Sequence, residues 1–316
     1  MIKPEQCERL TRKARKTLEE EYGLGAVADL VLDAGRWGIR LDVSTTDEYR
    51  RTGNSRVGGH PDLPDDLDWP LTKDGVPMTF LAQLNMVDLS PYTPNDGRGT
   101  LPERGMLYFF IGSVDAAYPI EHRVIYEPST YNLVKREPDG ATALGGEPTI
   151  AHSVTVLPNL ELPTYAYIDA AALDEQGKAS EAVSNPEGAP GGRWLDRYLE
   201  FESDWNHPSP LNWGGMFGYP DGQHPDAEHR ALSYIELGEA HTGSEQECVK
   251  KLTAHYDGDE ERTWEELSDT LLLLKIDTND AIGFQWLDCG ELQFFIRGAD
   301  LEAEQFDHTC CSIYSS

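Results

Sequence analysis

Basic residues are scarce in this chain: 26 lysines and arginines stand against 56 aspartates and glutamates, for a formal charge of −30. Binding nucleic acid takes clustered cations that neutralise phosphates, so DNA and RNA are excluded as expected partners. Long apolar runs are missing too. None reaches the roughly 18 residues that cross a bilayer. The first segment, MIKPEQCERLTRKARKTLEEEYG, carries no apolar stretch of the kind a secretory signal needs. The five cysteines are odd in number and irregularly spaced, which does not suit a disulfide framework. Cys310 and Cys311 are adjacent and have no CxxC partner, which argues against zinc. A cytoplasmic protein with reduced thiols and no membrane contact is expected.

Chemical motifs are equally thin. The stretch RVGGHPDLPDDLDWP (56–70) has the glycine pair of a phosphate cradle. His60 and Pro61, however, follow where a Walker loop places its Lys and hydroxyl, and proline withdraws an amide donor. GLGAVA (23–28) has the outline of a dinucleotide motif, but it follows a charged helical segment instead of a buried strand. His224, Asp226, Glu228 and His229 in QHPDAEH are not spaced as a helical zinc pair and read as a solvated loop. Asp62, Asp65, Asp66 and Asp68 lack the glycine and terminal glutamate of a calcium loop. No GxSxG elbow occurs. Cys289 sits beside Asp288, whose charge disfavours a thiolate, so it reads as a structural cysteine. No catalytic residue, metal or cofactor is expected from these patterns, and enzymatic activity is left open.

Against these absences stand seven tryptophans, fourteen tyrosines and nine phenylalanines, which disordered chains do not carry. Residues 4–34 have helical spacing, with Pro4 in a first turn and breaks at Gly23 and Gly25. From there WGIRLDV, MTFLAQLNM, GMLYFFIG, HRVIYEP, YNLVKRE and HSVTVLP read as short strands bounded by turn residues. Residues 170–193 read as a polar surface connection. RWLDRYLEFESDW and the segment 244–268 are helical candidates around the turn-rich NWGGMFGYPDGQHPD. TLLLLKID, GELQFFIRG and a helical turn, ADLEAEQF, close the pattern.

The late strands echo the early ones. FLAQLN (80–85) aligns with LLLKID (272–277), and GMLYFFI (105–111) with GELQFFI (290–296), five of seven positions being identical. GHPD (59–62) recurs as GYPD (218–221), each ahead of its strand pair. The pattern predicts an α+β, β-rich protein with N-terminal helices, in which two antiparallel-sheet repeats form one compact body by internal duplication. Repeat one covers about 56–165, the connection about 170–193 and repeat two about 210–310. Residues 1–45 hold the helices and first strand, and 46–316 the main domain.

In this order SRVGGHPDLPDDLDWP, GVPMTFLAQLNM, LPERGMLYFFIG, FGYPDGQ, LLLLKID, LDCGELQFFI and DLEAEQFD resemble the YwqG-like family of bacterial proteins of unknown function. The resemblance spans roughly 50–310. Arg56, Gly58, Gly59, Pro61, Asp62, Leu63, Pro64, Trp69 and Pro70 fit the family's opening signature, and Gly218, Tyr219, Pro220 and Gln223 its later one. The family's Trp-Gly-Asp-Gly-like turn stands here as Trp286, Leu287, Asp288, Cys289 and Gly290, a departure at glycine. The resemblance implies a duplicated β-rich fold and no defined activity. Some members look like neighbours of toxin loci, where an immunity or accessory role has been suggested.

Two expectations follow. One is an interaction protein that masks a basic partner, although the acidity also fits an acid-rich proteome. The other is an enzyme or small-ligand binder with a site between the repeats, lined by Arg56, Trp69, Gln83, Tyr219 and Gln223. Those five residues could equally be turn and core positions, as Gly58, Gly59, Pro61, Pro70, Gly218, Pro220 and Gly290 are expected to be. Oligomeric state is left open.

Overall fold

The computed structural model describes residues 1–94, 99–114, 120–145, 149–184, 194–238 and 243–315. Its strands are β1 (Arg36–Thr46), β2 (Arg56–Val57), β3 (Asp62–Pro64), β4 (Thr79–Asn85), β5 (Met106–Ile111), β6 (His122–Glu127), β7 (Leu133–Lys135), β8 (His152–Glu161), β9 (Asn212–Met216), β10 (Thr270–Asp277), β11 (Glu291–Arg297) and β12 (Thr309–Tyr314). Its helices are α1 (Pro4–Glu20), α2 (Ala28–Asp33), α3 (Met86–Leu89), α4 (Ala170–Ser184), α5 (Trp194–Asn206), α6 (Ala227–Leu237), α7 (Glu245–His255), α8 (Glu260–Asp269) and α9 (Gly298–Glu302).

Ten strands form one antiparallel sheet in the order β12-β11-β10-β9-β1-β8-β2-β4-β5-β6, and β3 pairs with β7 apart from it. The long strands β1 and β8 lie at the centre, in register from Arg36↔Glu161 to Val43↔Val154. Strand twist accumulates outward from this pair and curls the sheet. Its two ends meet: Ile120 N donates to Cys311 O at 2.8 Å, and the Phe109 and Phe294 rings pack edge to face at 5.2 Å. The main core fills the curl. Leu107, Phe109 and Ile111 of β5 face Leu292, Phe294 and Ile296 of β11 within it.

Alternation sends the intervening residues outward. Met106, Tyr108 and Phe110 pack beneath β3 and β7 with Leu63, Met78 and Phe80. On the other half, Leu272, Phe295 and Cys310 pack against Ala231 of α6. The helices α1, α2, α4 and α5 form their own core with Leu160 and Leu162 at the end of β8. The segments that echo in sequence share a local irregularity. The β4–β5 register shifts between Phe80 and Ala82, and the β10–β11 register shifts between Leu272 and Leu274, the aligned positions.

Several local expectations are corrected. Residues 170–184 are helix α4 and not a surface connection, because AAALDEQGKASEA is rich in helix formers. Gly177 there leaves room for the Trp194 ring, which a Cβ would meet at 2.1 Å. The rest of that connection, 185–193, lies outside the described residues, as do 95–98 of the loop SPYTPNDGRG. The turn-rich segment after α5 contains β9, hidden by its glycines: a Cβ at Gly214 would stand 2.1 Å from Lys275 O of the neighbouring strand. QHPDAEH is not a solvated loop throughout, since α6 begins at Ala227 and Glu228 is buried. After α9 the chain adds β12, which buries Cys310 and Cys311.

The turn before β11 explains the departure at glycine. Leu287 and Cys289 both adopt positive φ, 49° and 55°. Cys289 is exposed in this turn. Left-handed backbone costs an L-residue about 1–2 kcal/mol, partly offset by the greater unfolded-state entropy of glycine. Leu287→Gly and Cys289→Gly are therefore each expected to stabilise the protein by about 0.5–1 kcal/mol, read as raised urea midpoints.

Candidate functional site

Two buried polar knots sit on the outer face of the sheet, one beneath each Gly-x-Pro-Asp turn. In the first, β2 carries Arg56 fully buried. Its Nε donates to Asp47 Oδ2 at 2.8 Å, its Nη1 donates to His60 O at 3.0 Å, and Nη1 lies 3.1 Å from Asp62 Oδ2. Gln83, opposite Arg56 in the β2–β4 register, is also fully buried. It accepts from Asp62 N at 2.6 Å and donates to Asp62 Oδ2 at 3.0 Å. Tyr108 Oη donates to Asp62 O at 2.6 Å. Burial opposes ionisation of Asp47, but bonds from Asn54, Arg56 and the Tyr49 amide outweigh it and hold its carboxyl low.

Gly58 and Gly59 make the turn possible, with φ of 68° and 65°. A Cβ on Gly59 would lie 2.2 Å from Tyr49 Oη and 2.5 Å from the Ala151 Cβ. The glycine pair thus serves close packing and a left-handed path.

The second knot is built on Lys275 of β10, which aligns with Gln83. Its Nζ donates to Glu161 Oε1 at 2.8 Å and to Tyr219 O at 3.3 Å, and lies 3.6 Å from Glu291 Oε2. Gln293 Nε2 donates to Asp221 O at 2.7 Å, the counterpart of Tyr108 on Asp62 O. Glu161 leaves no room for a side chain at Gly218, where a Cβ would stand 2.0 Å from Glu161 Oε2. Burial by itself would depress the Lys275 ammonium, but Glu161, Glu291, Asp221 and Asp277 outweigh it and hold it well above its usual range. Glu291 is pushed up by burial; Lys275 opposes this, while Asp221 and Asp277 reinforce it. The ammonium lies nearer Glu161, at 2.8 Å, than Glu291, at 3.6 Å.

The five residues expected at a site are therefore divided. Arg56 and Gln83 come together in the first knot. Tyr219, 6% exposed, belongs to the second, where its Oη donates to Ala34 O at 2.5 Å and the Arg36 guanidinium lies 4.0 Å from its ring centre. Gln223 is exposed and apart from both. Trp69 is half-buried, donates to Met78 O at 2.9 Å and packs edge to face on Phe110. Sequence reasoning missed Lys275, Glu161, Glu291 and Gln293. The signal was present for three of them, as polar residues inside LLLLKID and GELQFFI at positions aligned with the first repeat.

Two clefts flank the β10–β11 loop. One, of about 850 Å³, lies between the opening loop (Gly59, His60, Trp69) with Phe80 and the β10–β11 residues Ile282, Phe284 and Trp286. Ile150 N donates to Ile282 O at 2.7 Å and ties its walls together. Of the expected residues, only Trp69 lines it. The other cleft, of about 730 Å³, is lined by Asp221, Asp277, Asp280 and Glu291, together with His207 and Asn212.

One curled antiparallel sheet with two knots and two clefts defines an α+β protein of a single β-rich body. The chain belongs to the family described as a domain of unknown function, DUF1963, which it matches over residues 55–314. No curated protein matches the sequence. The matched region starts one residue before Arg56 and takes in both clefts and the second knot, whereas Asp47, Tyr49 and Asn54 of the first knot, β1 and the N-terminal helices precede it. No helix among the described residues is long and apolar enough to cross a membrane.

Next to the second knot, Glu202 of α5 is raised to about 7; burial is the main cause, the Asn206 side chain opposes it, and Asp221 adds to it. Its ordinary value is 4.5. Between these values the folded state keeps a proton that the unfolded chain has lost, so stability falls as pH rises through the window. Glu202→Gln is expected to flatten the decline in unfolding free energy between pH 5 and pH 8, measured by urea titration. Lys275→Met strands Glu161 and is expected to cost about 3–5 kcal/mol in the same assay at pH 7.

Proposed function

We propose that this protein is a binding protein whose small organic ligand occupies the cleft of about 850 Å³ between the opening loop and the β10–β11 loop, and that its two strand units descend from one duplicated unit. The observation that carries the first part is the pairing of shape and lining. The volume falls in the range of small-molecule sites, about 300–1,000 Å³, which are mostly apolar with a few convergent polar groups. Trp69, Phe80 and Phe284 supply aromatic surface, and the hydroxyl-bearing Thr79, Thr142 and Thr149 line the same space. Burial depresses the His60 imidazolium; Glu137 opposes this, and Lys135 and Arg56 add to it. The shared register shift and the matched turn contacts support the second part.

A screen of planar aromatic fragments tests the cleft. Bound fragments are expected to quench Trp69 fluorescence and raise the melting temperature, in line with about 2.7 kcal/mol at a hundred times Kd. Ala141→Trp places a ring in the cleft from an exposed position and is expected to abolish both effects. Fragments that bind this variant as tightly as the wild type, or a wild type that binds none, overturn the proposal.

A second reading, an interaction or immunity-type protein that masks a basic partner in the cytoplasm, is favoured by the charge of −30. It predicts association with a basic protein encoded by an adjacent gene, weakening steeply from 50 mM to 500 mM salt, as electrostatically steered contacts do. Calorimetry against that protein with no heat at either salt concentration sinks it.

A further inference from the structure

The acidic cleft does not belong to the aromatic one, from which the β10–β11 loop separates it. Asp277 and Glu291 are partners at the open ends of β10 and β11, and Asp221 is fixed to Glu291 by its own amide, which donates to Glu291 Oε1 at 3.2 Å. Asp280 lies at the mouth and is exposed. Four carboxyl groups therefore line one concavity, and no lysine or arginine is among the described residues lining it. The cation beneath, Lys275, is already taken by Glu161 at 2.8 Å.

A second observation concerns the floor. Glu291 is 2% exposed, and its Oε1 accepts from Asp221 N and Gln293 Nε2. Its Oε2 has no hydrogen-bond partner among the described residues, and the Lys275 ammonium stands off at 3.6 Å. A buried carboxyl oxygen left without a donor is destabilising, and a donor arriving from the cleft relieves it. The carboxylates are spread along the concavity instead of gathered: among the described residues no three His, Cys, Asp or Glu side chains are grouped to hold a metal ion. A spread of acceptors around a buried unpaired oxygen suits several donors carried on one extended cation.

We propose that the cleft lined by Asp221, Asp277, Asp280 and Glu291 is a binding site for an organic cation, a guanidinium or alkylammonium group whose N–H donors reach Glu291 and whose charge is balanced by the aspartates. An arriving cation favours the ionised form of Glu291, which burial opposes. The site stands independently of the aromatic cleft.

Calorimetric titration with agmatine tests it, with magnesium chloride at matched ionic strength as the inorganic probe. Saturable binding is expected for agmatine. Glu291→Gln is expected to weaken agmatine at least tenfold, while Asp66→Asn, an exposed carboxylate elsewhere, leaves binding unchanged. If Glu291→Gln does not fold, the Asp277→Asn, Asp280→Asn double variant at the mouth takes its place, with the same tenfold loss expected. Absence of saturable binding, an equal loss in Asp66→Asn, or magnesium binding more tightly than agmatine overturns the proposal. Ala141→Trp, which fills the aromatic cleft, is expected to leave agmatine binding intact, so the two proposals fail separately.

Discussion

Each half of the sheet depends on a buried cation holding the carbonyl of a turn. Arg56 reaches the His60 carbonyl and Lys275 the Tyr219 carbonyl, in both cases the second residue of a Gly-x-Pro-Asp turn. Proline gives these turns no amide of its own, and a buried carbonyl without a donor is costly. The cation supplies that donor but then needs carboxylates of its own: Asp47 and Asp62 in one half, Glu161 in the other. The glycines follow from this, since the chain must pass within contact distance of the groups that hold it. Removing either cation therefore disturbs a turn, a strand register and a carboxylate together.

The two knots differ in how well they are balanced, and the difference carries the functional argument. In the first, the guanidinium has enough donors to satisfy both carboxylates and two carbonyls besides. In the second, a three-donor ammonium replaces it and leaves Glu291 half satisfied beside an open cleft. A guanidinium on β2 and an ammonium on β10 are thus not equivalent holders of their turns. The balanced knot serves architecture, and the unbalanced one leaves capacity for an outside charge.

How much of this was legible follows the periodicity of the segments. The α1 helix and the strands β4, β5, β10 and β11 announce themselves because apolar residues repeat at the right spacing. β9 did not, because NWGGM has the composition of a turn and gains its strand only from close neighbours on both sides. α4 was hidden by its Gly177 and its polar surface, and β12 by a short TCCSIY segment with little apolar alternation. The polar knots were half legible: Arg56 and Gln83 stood out in a signature, but Glu161 and Lys275, far apart in sequence, meet only once β8 and β10 are placed. The clefts could not be read at all, since they are formed by loops whose relative positions the sheet decides.

The place of β1 has a further consequence. It is hydrogen-bonded to β8 on one side and β9 on the other, with Ile39 opposite both Pro158 and Met216. During synthesis this early strand emerges long before either neighbour and stays unpaired while most of the first half is made. Pairings so distant along the chain are slow to form and leave open edges in the meantime. The helices α1 and α2 precede it directly, and their apolar faces are covered by Leu160, Leu162 and the helices α4 and α5. Central strand and N-terminal helices therefore wait for the same later stretch of chain, which ties the region before the family match to the rest in one late step.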